Sequence, residues 1–204
     1  MKKQLNKLIT DFEKEYGCLD NDVSSPGNRQ LFNVRTDAKQ LGVKKSKDFH
    51  SNTAALLYLM KRVRPDIETS ISFLMRRVSK SDVDDWGKLK RVLAYLKNTI
   101  DDVRVIGATS LTQILTWIDA SFAVHNDMKS HTGGCTSMGI GLVHQKNSTQ
   151  KSNSKSSCES EIIGVSEYLP YNLWFLMFLE AQGYGIGSNL IFQTMNFKRS
   201  INPR

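Results

Sequence analysis

The first candidate for chemistry in this sequence is an aspartate at the end of an apolar run. Asp119 directly follows residues 115–118, Leu-Thr-Trp-Ile, which the pattern predicts to be a buried strand. An isolated carboxylate is costly to bury, whereas a strand-end carboxylate next to a loop is a suitable hard oxygen ligand for Mg²⁺. A strand-end Asp can equally cap a local turn. Asp119 is therefore either a metal ligand or a turn residue.

Two glutamates are its candidate partners. Glu159 and Glu161 follow paired serines at the start of a predicted long helix, where they are favourable first-turn charges against the helix dipole. If that helix packs beside the strand of Asp119, a glutamate there is half of a two-metal nuclease site, in which two divalent ions about 3.5–4 Å apart activate water and stabilise the leaving oxygen. Such a site needs three or four carboxylates. His125 and His131 flank the loop after Asp119. These histidines either bind phosphate or are simply solvated.

The first half of the chain is predicted to be helical. Residues 1–16 form an amphipathic helix, and residues 17–48 form an irregular connection. Helices are expected over 52–63 and 66–78, separated at Pro65. A third helix opens at Ser81 with Asp84 as its capping-box partner.

The second half changes to strand patterns. Strands are predicted over 110–121 and 135–146 with a hairpin loop between them, and over 189–193 after a turn. Residues 146–160 have the composition of a low-complexity linker. The helix over 159–182 is expected to kink or split at Pro170. The resulting order is β-β-(β)-α-β.

Composition limits the class of protein. The 204 residues suit one or two domains, and the net charge of +8 favours a polyanionic partner. Between residues 61 and 97, ten Lys/Arg oppose five Asp/Glu. The three distant cysteines predict neither disulfides nor a zinc site, and hence a reducing compartment, cytoplasmic or nuclear. Early acidic residues argue against a secretory signal. The longest apolar run, 173–179, is about a third of the roughly 20 residues that a membrane span needs, so a soluble protein with no membrane partner is expected.

Three motifs in order carry a family resemblance: "RPD" at 64–66, "DASFAVH…SHTGG" at 119–134 and "KSSCESE" at 155–161. They resemble the C-terminal part of copia-type LTR-retrotransposon polyproteins, where the end of the reverse transcriptase precedes its ribonuclease H domain. The resemblance begins near residue 23 and is most specific over 49–184. It implies an α+β or α/β chain with an N-terminal segment (1–48), a basic helical thumb and connection (49–104), and a truncated ribonuclease H-like mixed sheet with a long packed helix (105–204).

The resemblance also implies residue roles. Asp119 matches the first catalytic carboxylate and Glu161 the second, with Glu159 ranked next as a Mg²⁺ ligand. Gly133 and Gly134 match a turn, and the Ser-rich stretch matches a third strand and the approach to the helix. The partner would be an RNA–DNA hybrid or another duplex, and also the remainder of the polyprotein. Phosphate contacts without sequence preference are expected from Lys61, Arg62, Arg64, Lys88, Lys90, Arg91, Lys146, Lys151 and Lys155.

The chain departs from the family at its third carboxylate. Family members read "QDNQSA" after the last strand, whereas here Gln193 is followed by Thr194, Met195 and Asn196, and no Asp occurs after Asp127. The polymerase aspartates and the fourth carboxylate are expected to lie beyond the two ends. These departures predict a degenerate fragment that binds nucleic acid and cleaves little. The alternatives are an active Mg²⁺-dependent nuclease, a non-catalytic duplex-binding remnant, and a basic helical protein of other ancestry.

Overall fold

The computed structural model describes residues 1–193 and divides the chain into two compact units. The first unit comprises Met1–Arg104, and the second begins at Val105. The first is built from helices, and the second combines strands with one long helix. The chain is thus a mixed α and β protein.

Four α-helices form the first unit: α1 (Lys2–Tyr16), α2 (Val43–Arg62), α3 (Glu68–Arg77) and α4 (Val83–Asn98). The prediction of α1 is confirmed, and its periodic apolar residues Leu5, Ile9 and Phe12 are buried. A 3₁₀ turn begins at Pro65, as the predicted boundary requires. Helix α2 starts nine residues before the predicted position 52, so the connection ends at Gly42. The helices and the connection share one hydrophobic core, in which Phe12 stacks on Trp86 at 5.5 Å between ring centroids.

The start of α4 differs from the prediction by one residue. Asp82, not Ser81, is the N-cap, and its carboxylate accepts hydrogen bonds from the N–H groups of Asp84 and Asp85 at 2.9 Å. The Asp85 carboxylate in turn accepts the N–H of Asp82 at 3.2 Å. The capping box is therefore formed by Asp82 and Asp85, and not by Ser81 and Asp84.

The second unit centres on a four-stranded sheet. Its strands are β2 (Gln113–Ser121), β3 (His131–Ser137), β5 (Leu142–Thr149) and β6 (Ser188–Gln193), in the order β5-β3-β2-β6. Strand β2 pairs antiparallel with β3 and parallel with β6, and β3 pairs antiparallel with β5. Two-residue strands β1 (Gly107–Ala108) and β4 (Gly139–Ile140) form a separate small ladder. The long helix α5 spans Ser157–Ala181.

Several predictions for this unit were wrong in detail. The single strand predicted over 135–146 is broken after β3, where Gly139 and Gly141 adopt φ of +115° and +69°. These left-handed conformations suit glycine and redirect the chain into β5. Gly133 and Gly134 lie inside β3 rather than in a turn. Residues 146–160 are not a linker: β5 runs to Thr149, and α5 begins behind the N-cap Ser156.

Helix α5 packs on β2 and β3 and is continuous through Pro170. Its buried side chains include Tyr168, Asn172 and Leu179. Asn172 and Asn189 of β6 exchange hydrogen bonds at 2.8 and 2.9 Å, and Asn172 also donates to Thr116 of β2 at 2.8 Å. Judged by length and composition alone, α5 is also apolar enough to cross a membrane, with 22% of its most apolar window buried. The expectation of no membrane partner rested on uninterrupted apolar runs, and it stays a prediction.

Candidate functional site

Asp119 lies near the end of β2, between two strands of the sheet. Its strand partner on one side is Gly133 of β3. On the other side the residue before it, Ile118, pairs with Gln193 of β6. Residues Thr116 and Ile118 are buried, while the side chains of Trp117 and Asp119 are exposed, as the alternation of a strand requires. The sheet therefore presents the Asp119 carboxylate at an accessible strand end.

Glu161 approaches the same strand end from the first turns of α5. It is buried, with 8% of its surface exposed. The backbone N–H of Ala120 lies close enough to both carboxylates to lower the pKa of each. Partial desolvation of the exposed Asp119 and burial of Glu161 outweigh this effect and raise the pKa of both acids, and the negative charge of Asp119 raises the Glu161 pKa further. The structure thus brings together the two acids that the resemblance ranks first.

Gln193 is a third member of this site that the sequence reasoning missed. Its carboxamide lies near the Glu161 carboxylate and acts to lower the Glu161 pKa. Within residues 1–193, however, neither Glu161 Oε2 nor Gln193 Nε2 completes a hydrogen bond. An orphaned buried carboxylate oxygen beside a second acid can take up a proton or a cation. The available sequence signal was the position of Gln193 at the end of the last predicted strand.

Glu159 has a different role from Glu161. Its backbone N–H donates to Ser156 Oγ at 3.1 Å, and its carboxylate accepts the backbone N–H of Lys155 at 2.6 Å. Glu159 therefore closes the N-terminus of α5, which is the first-turn role left open by the sequence. In the portion of the chain that the structure describes, no group of three or more His, Cys, Asp and Glu side chains is arranged to hold a metal ion.

A shallow cavity of about 330 Å³ adjoins Asp119. Trp117, Asp119, Gly133, Cys135 and Asn147 are among its lining residues. A Cβ built on Gly133 would lie 2.8 Å from Asn147 Oδ1, so the glycine keeps this surface open next to the acid. The cavity gives a ligand access to the Asp119 side of the acid pair.

The predicted basic residues of the first unit do not form one exposed stripe. Arg64 is buried, and its guanidinium donates to Asp66 and to the carbonyl of Thr99. Lys88 is largely covered and donates to the carbonyl of Asn33 at 2.6 Å, and burial lowers its pKa. Charge counting cannot distinguish such internal cations from exposed ones. Arg64 and Lys88 are therefore unsuited to being the exposed phosphate contacts that were predicted.

The other predicted basic residues of this unit are more accessible. Lys61 pairs with Glu68 at 2.7 Å, and its side chain is 53% exposed. The Arg62 guanidinium lies 4.1 Å from the centroid of the Tyr58 ring. Lys90 and Arg91 are half-buried on α4.

The predicted lysines of the second unit lie on β5 and on the connection to α5. Lys151 and Lys155 are exposed, whereas Lys146 is half-buried. Lys146 donates to the Tyr171 hydroxyl and lies over that ring, 4.4 Å from its centroid. Lys151 and Lys155 are therefore the two of these lysines with exposed side chains. The predicted loss of a third carboxylate after Gln193 concerns Thr194, which lies outside the described residues.

Comparison with known proteins gives three informative relatives. The chain is 33% identical over 115 residues, 56% of its length, to an uncharacterized mitochondrial protein of Arabidopsis thaliana, covering 48% of that protein. It is 27% identical over 136 residues, 66% of its length, to the retrovirus-related Pol polyprotein from transposon TNT 1-94 of Nicotiana tabacum, covering 10% of that polyprotein. It is 27% identical over 131 residues, 64% of its length, to the secreted RxLR effector protein 161 of Plasmopara viticola, covering 92% of that protein. No protein-family model and no solved structure matches.

These relationships support the coarser part of the resemblance. The chain is similar to part of a retrotransposon Pol polyprotein and spans about half or less of the first two relatives. The similarities support the interpretation that the chain is a transposon-related fragment of a larger polyprotein.

Proposed function

We propose that this chain is part of a copia-type retrotransposon polyprotein, and that its second unit is a ribonuclease H-like domain. The ancestral activity would be Mg²⁺-dependent cleavage of the RNA strand in RNA–DNA hybrids. The observation that carries the proposal is that buried Glu161, at the start of α5, lies near enough to Asp119 of β2 for the negative charge of Asp119 to raise the Glu161 pKa, although the two residues are far apart in sequence. The three antiparallel strands, the long helix and the returning parallel strand are consistent with it.

The donor set fits a single hard cation. Asp119 and Glu161 offer carboxylate oxygens, the ligands that Mg²⁺ prefers, and Glu161 Oε2 has no hydrogen bond within residues 1–193. When bound, the ion would activate water and neutralise charge on the phosphate. The chain itself would contribute the two negative charges. The raised pKa of Glu161 means that a proton competes with the cation for this site.

The site has too few carboxylates to bind two metal ions. The residue at the third family position is Thr194, and no Asp follows Asp127 in the sequence. The adjacent Gln193 is neutral and adds no negative charge. Two carboxylates cannot offset two divalent ions, and transition-state stabilisation depends on charge placed where it develops. We therefore propose weak binding of one ion and little or no cleavage.

Nucleic-acid binding without cleavage is the second candidate function. It is favoured by the net charge of +8 and by exposed Lys151 and Lys155 near the start of α5, the helix that carries Glu161. Such contacts to phosphate give affinity that falls as salt is added. The partner in this case would be a hybrid or another duplex.

The test combines metal binding with hybrid cleavage. Mn²⁺ binding by the native chain is expected to be weak and to disappear in Asp119→Asn. A labelled RNA strand in a hybrid is expected to remain intact with the native chain in Mg²⁺. Thr194→Asp, which supplies the acid that family members carry, is expected to strengthen Mn²⁺ binding and to produce cleavage, whereas the matched variant Thr194→Asn does neither.

Two results would contradict different parts of the proposal. Robust cleavage by the native chain that Asp119→Asn abolishes would disprove the loss of activity. If neither the native chain nor Thr194→Asp bound Mn²⁺ or cut the hybrid, the ribonuclease H-like site itself would be wrong. Hybrid affinity that does not respond to salt would contradict the binding function.

A further inference from the structure

The first unit contains a cleft that the proposed nuclease site does not use. Its volume is about 520 Å³, and it lies between one side of α4 and the irregular segment 26–35. Clefts that bind small ligands usually measure about 300–1,000 Å³. Both walls belong to the first unit, so the cleft is independent of the acid pair. Its size suits a ligand no larger than about one nucleotide, and a duplex would not enter.

The charges that line this cleft favour an anion. Arg35, Lys88 and Arg91 line it together with one acid, Asp84, and the covered Lys88 ammonium also lies 3.8 Å from the buried Asp85 carboxylate. Arg35 holds Asp84 through two hydrogen bonds of 2.6 and 2.8 Å, which lower the Asp84 pKa and neutralise its charge locally. Lys88 is bound to the carbonyl of Asn33 and so holds the opposite wall in place. With Arg35 paired to Asp84 and Lys88 beside Asp85, the excess of positive charge in the cleft comes from Arg91.

Arg91 is the cation best placed to accept an anionic group. Its Nε and Nη2 donate to the carbonyl and the hydroxyl of Ser25 over 3.2 Å each. These bonds are long, and the guanidinium is a planar donor that binds phosphate in a bidentate manner. A phosphate oxygen would give Arg91 a charged acceptor in place of two neutral, distant ones.

The remaining lining residues are compatible with a planar polar ring. Asn28, Gln30 and Asn33 are amide residues, of which the Asn28 carboxamide oxygen already accepts the N–H of Gln30 at 3.0 Å, and Leu31 and Val83 contribute apolar surface. Amides can donate to and accept from the edge of a nucleobase, and aliphatic side chains can cover its face. The combination of a phosphate-binding guanidinium with an amide-lined wall matches a nucleoside phosphate.

Gly87 leaves one wall of the cleft without a side chain. It lies inside α4 and lines the cleft, and a Cβ built on it would meet nothing within 4 Å. Glycine in a helix interior is destabilising relative to alanine. Packing does not require this glycine, yet any side chain there would project into open space at the cleft.

We propose that this cleft binds a nucleoside phosphate, with the phosphate on Arg91 and the base against the amide wall. The ligand is either a free nucleotide or one unit of a single strand, since both present the same chemistry. The inference extends the nucleic-acid binding of the proposed function to a defined site. It does not depend on metal binding by the second unit.

The experiment uses the full chain and a short fluorescent single-stranded oligonucleotide, with AMP as the free nucleotide. Arg91→Gln is expected to weaken oligonucleotide binding about tenfold and to reduce the slope of log K against log salt by about 0.7. Gly87→Leu is expected to fill the cleft and abolish binding while remaining as thermally stable as the native chain. Lys47→Gln, an exposed lysine on α2 away from the cleft, is the control for net charge and is expected to bind nearly as the native chain does.

The possible outcomes distinguish a free nucleotide from a unit of a single strand, and they distinguish binding in this cleft from metal binding by the acid pair. Displacement of the oligonucleotide by AMP, and direct AMP binding that Gly87→Leu removes, identify a free nucleotide as a sufficient ligand. Oligonucleotide binding that AMP does not displace, lost in Gly87→Leu, identifies the strand. Unchanged binding by a folded Gly87→Leu, equal losses in Arg91→Gln and Lys47→Gln, or no binding of either probe would each overturn the proposal. A failed Mn²⁺ titration of the acid pair would leave these expectations unchanged.

Discussion

Replacing Gly134 with alanine is expected to test the packing that brings Glu161 to Asp119. Gly134 lies in β3 directly beneath Tyr168 of α5, and Tyr168 lies two helical turns after Glu161. A Cβ on Gly134 would lie 2.1 Å from Tyr168 Cδ2, whereas ordinary contacts begin at 3.4 Å. The tyrosine ring would therefore have to retreat by more than about 1 Å in a close-packed interior.

The cost follows from what Tyr168 contacts. The residue is 2% exposed, and its hydroxyl lies 3.2 Å from Thr136 Oγ1 and 2.9 Å from His144 Nδ1. Displacing the ring loses both hydrogen bonds, about 1 kcal/mol each, and overpacking adds about 1–3 kcal/mol. Gly134→Ala is therefore expected to destabilise the second unit by about 3–5 kcal/mol.

Native-state hydrogen exchange of the β2 and β3 amides measures this cost in the second unit alone. Gly133→Ala is the matched control on the same strand, because its Cβ would approach only the movable Asn147 side-chain oxygen, at 2.8 Å. It is expected to cost less than about 1 kcal/mol. The pair Gly134→Ala and Tyr168→Ala forms a double-mutant cycle in which the alanine at position 134 becomes nearly neutral once the ring is gone.

The reasoning would be refuted by equal exchange in the two glycine variants. It would also be refuted if Gly134→Ala remained equally costly in the Tyr168→Ala background. Either result would mean that the ring does not hold α5 on β3.

Three further predictions concern stability. Burial and the charge of Asp119 raise the Glu161 pKa, so the native protein loses stability as pH rises from 4.5 through the folded-state pKa. Glu161→Gln should therefore be more stable than the native protein in urea unfolding at pH 7. An advantage of the variant that did not depend on pH would contradict this. Asp82→Ala should cost about 1–2 kcal/mol by removing the α4 cap and a 2.8 Å partner of Arg77, and an unchanged urea midpoint would argue against that cap. Gly87→Ala should stabilise the first unit by about 0.5–1 kcal/mol in thermal unfolding, and a loss of stability would mean that α4 needs this glycine.

The local elements were largely accessible from the sequence. The periodic apolar residues of α1 predicted its buried face because a helix repeats every 3.6 residues, and the apolar run before Asp119 predicted the strand β2, although Trp117 within that run is exposed. The break between β3 and β5 escaped prediction because it depends on two glycines in left-handed conformations, and glycine composition does not reveal φ.

The roles of the two helix-start glutamates needed the packed structure. Glu159 and Glu161 are separated by about 200° around the helix axis, so only one of them can face the strand end. The sequence does not state how α5 is rotated about its axis. Tyr168 against Gly134, and Asn172 against Thr116 and Asn189, determine that rotation. Glu161 consequently reaches Ala120, and Glu159 is left to cap the helix.

By itself, the sequence determined the positive charge and the order of the motifs, because these depend on residue type and spacing alone. The pairing of Asp119 with Glu161 was an expectation from the family resemblance. Tertiary structure decided which charges are available. Arg64 and Lys88 read as exposed cations in a charge count, yet both are covered and hydrogen-bonded inside the first unit. Burial depends on contacts between residues distant in the chain, such as Arg64 with Thr99 and Lys88 with Asn33, and no local pattern encodes those contacts.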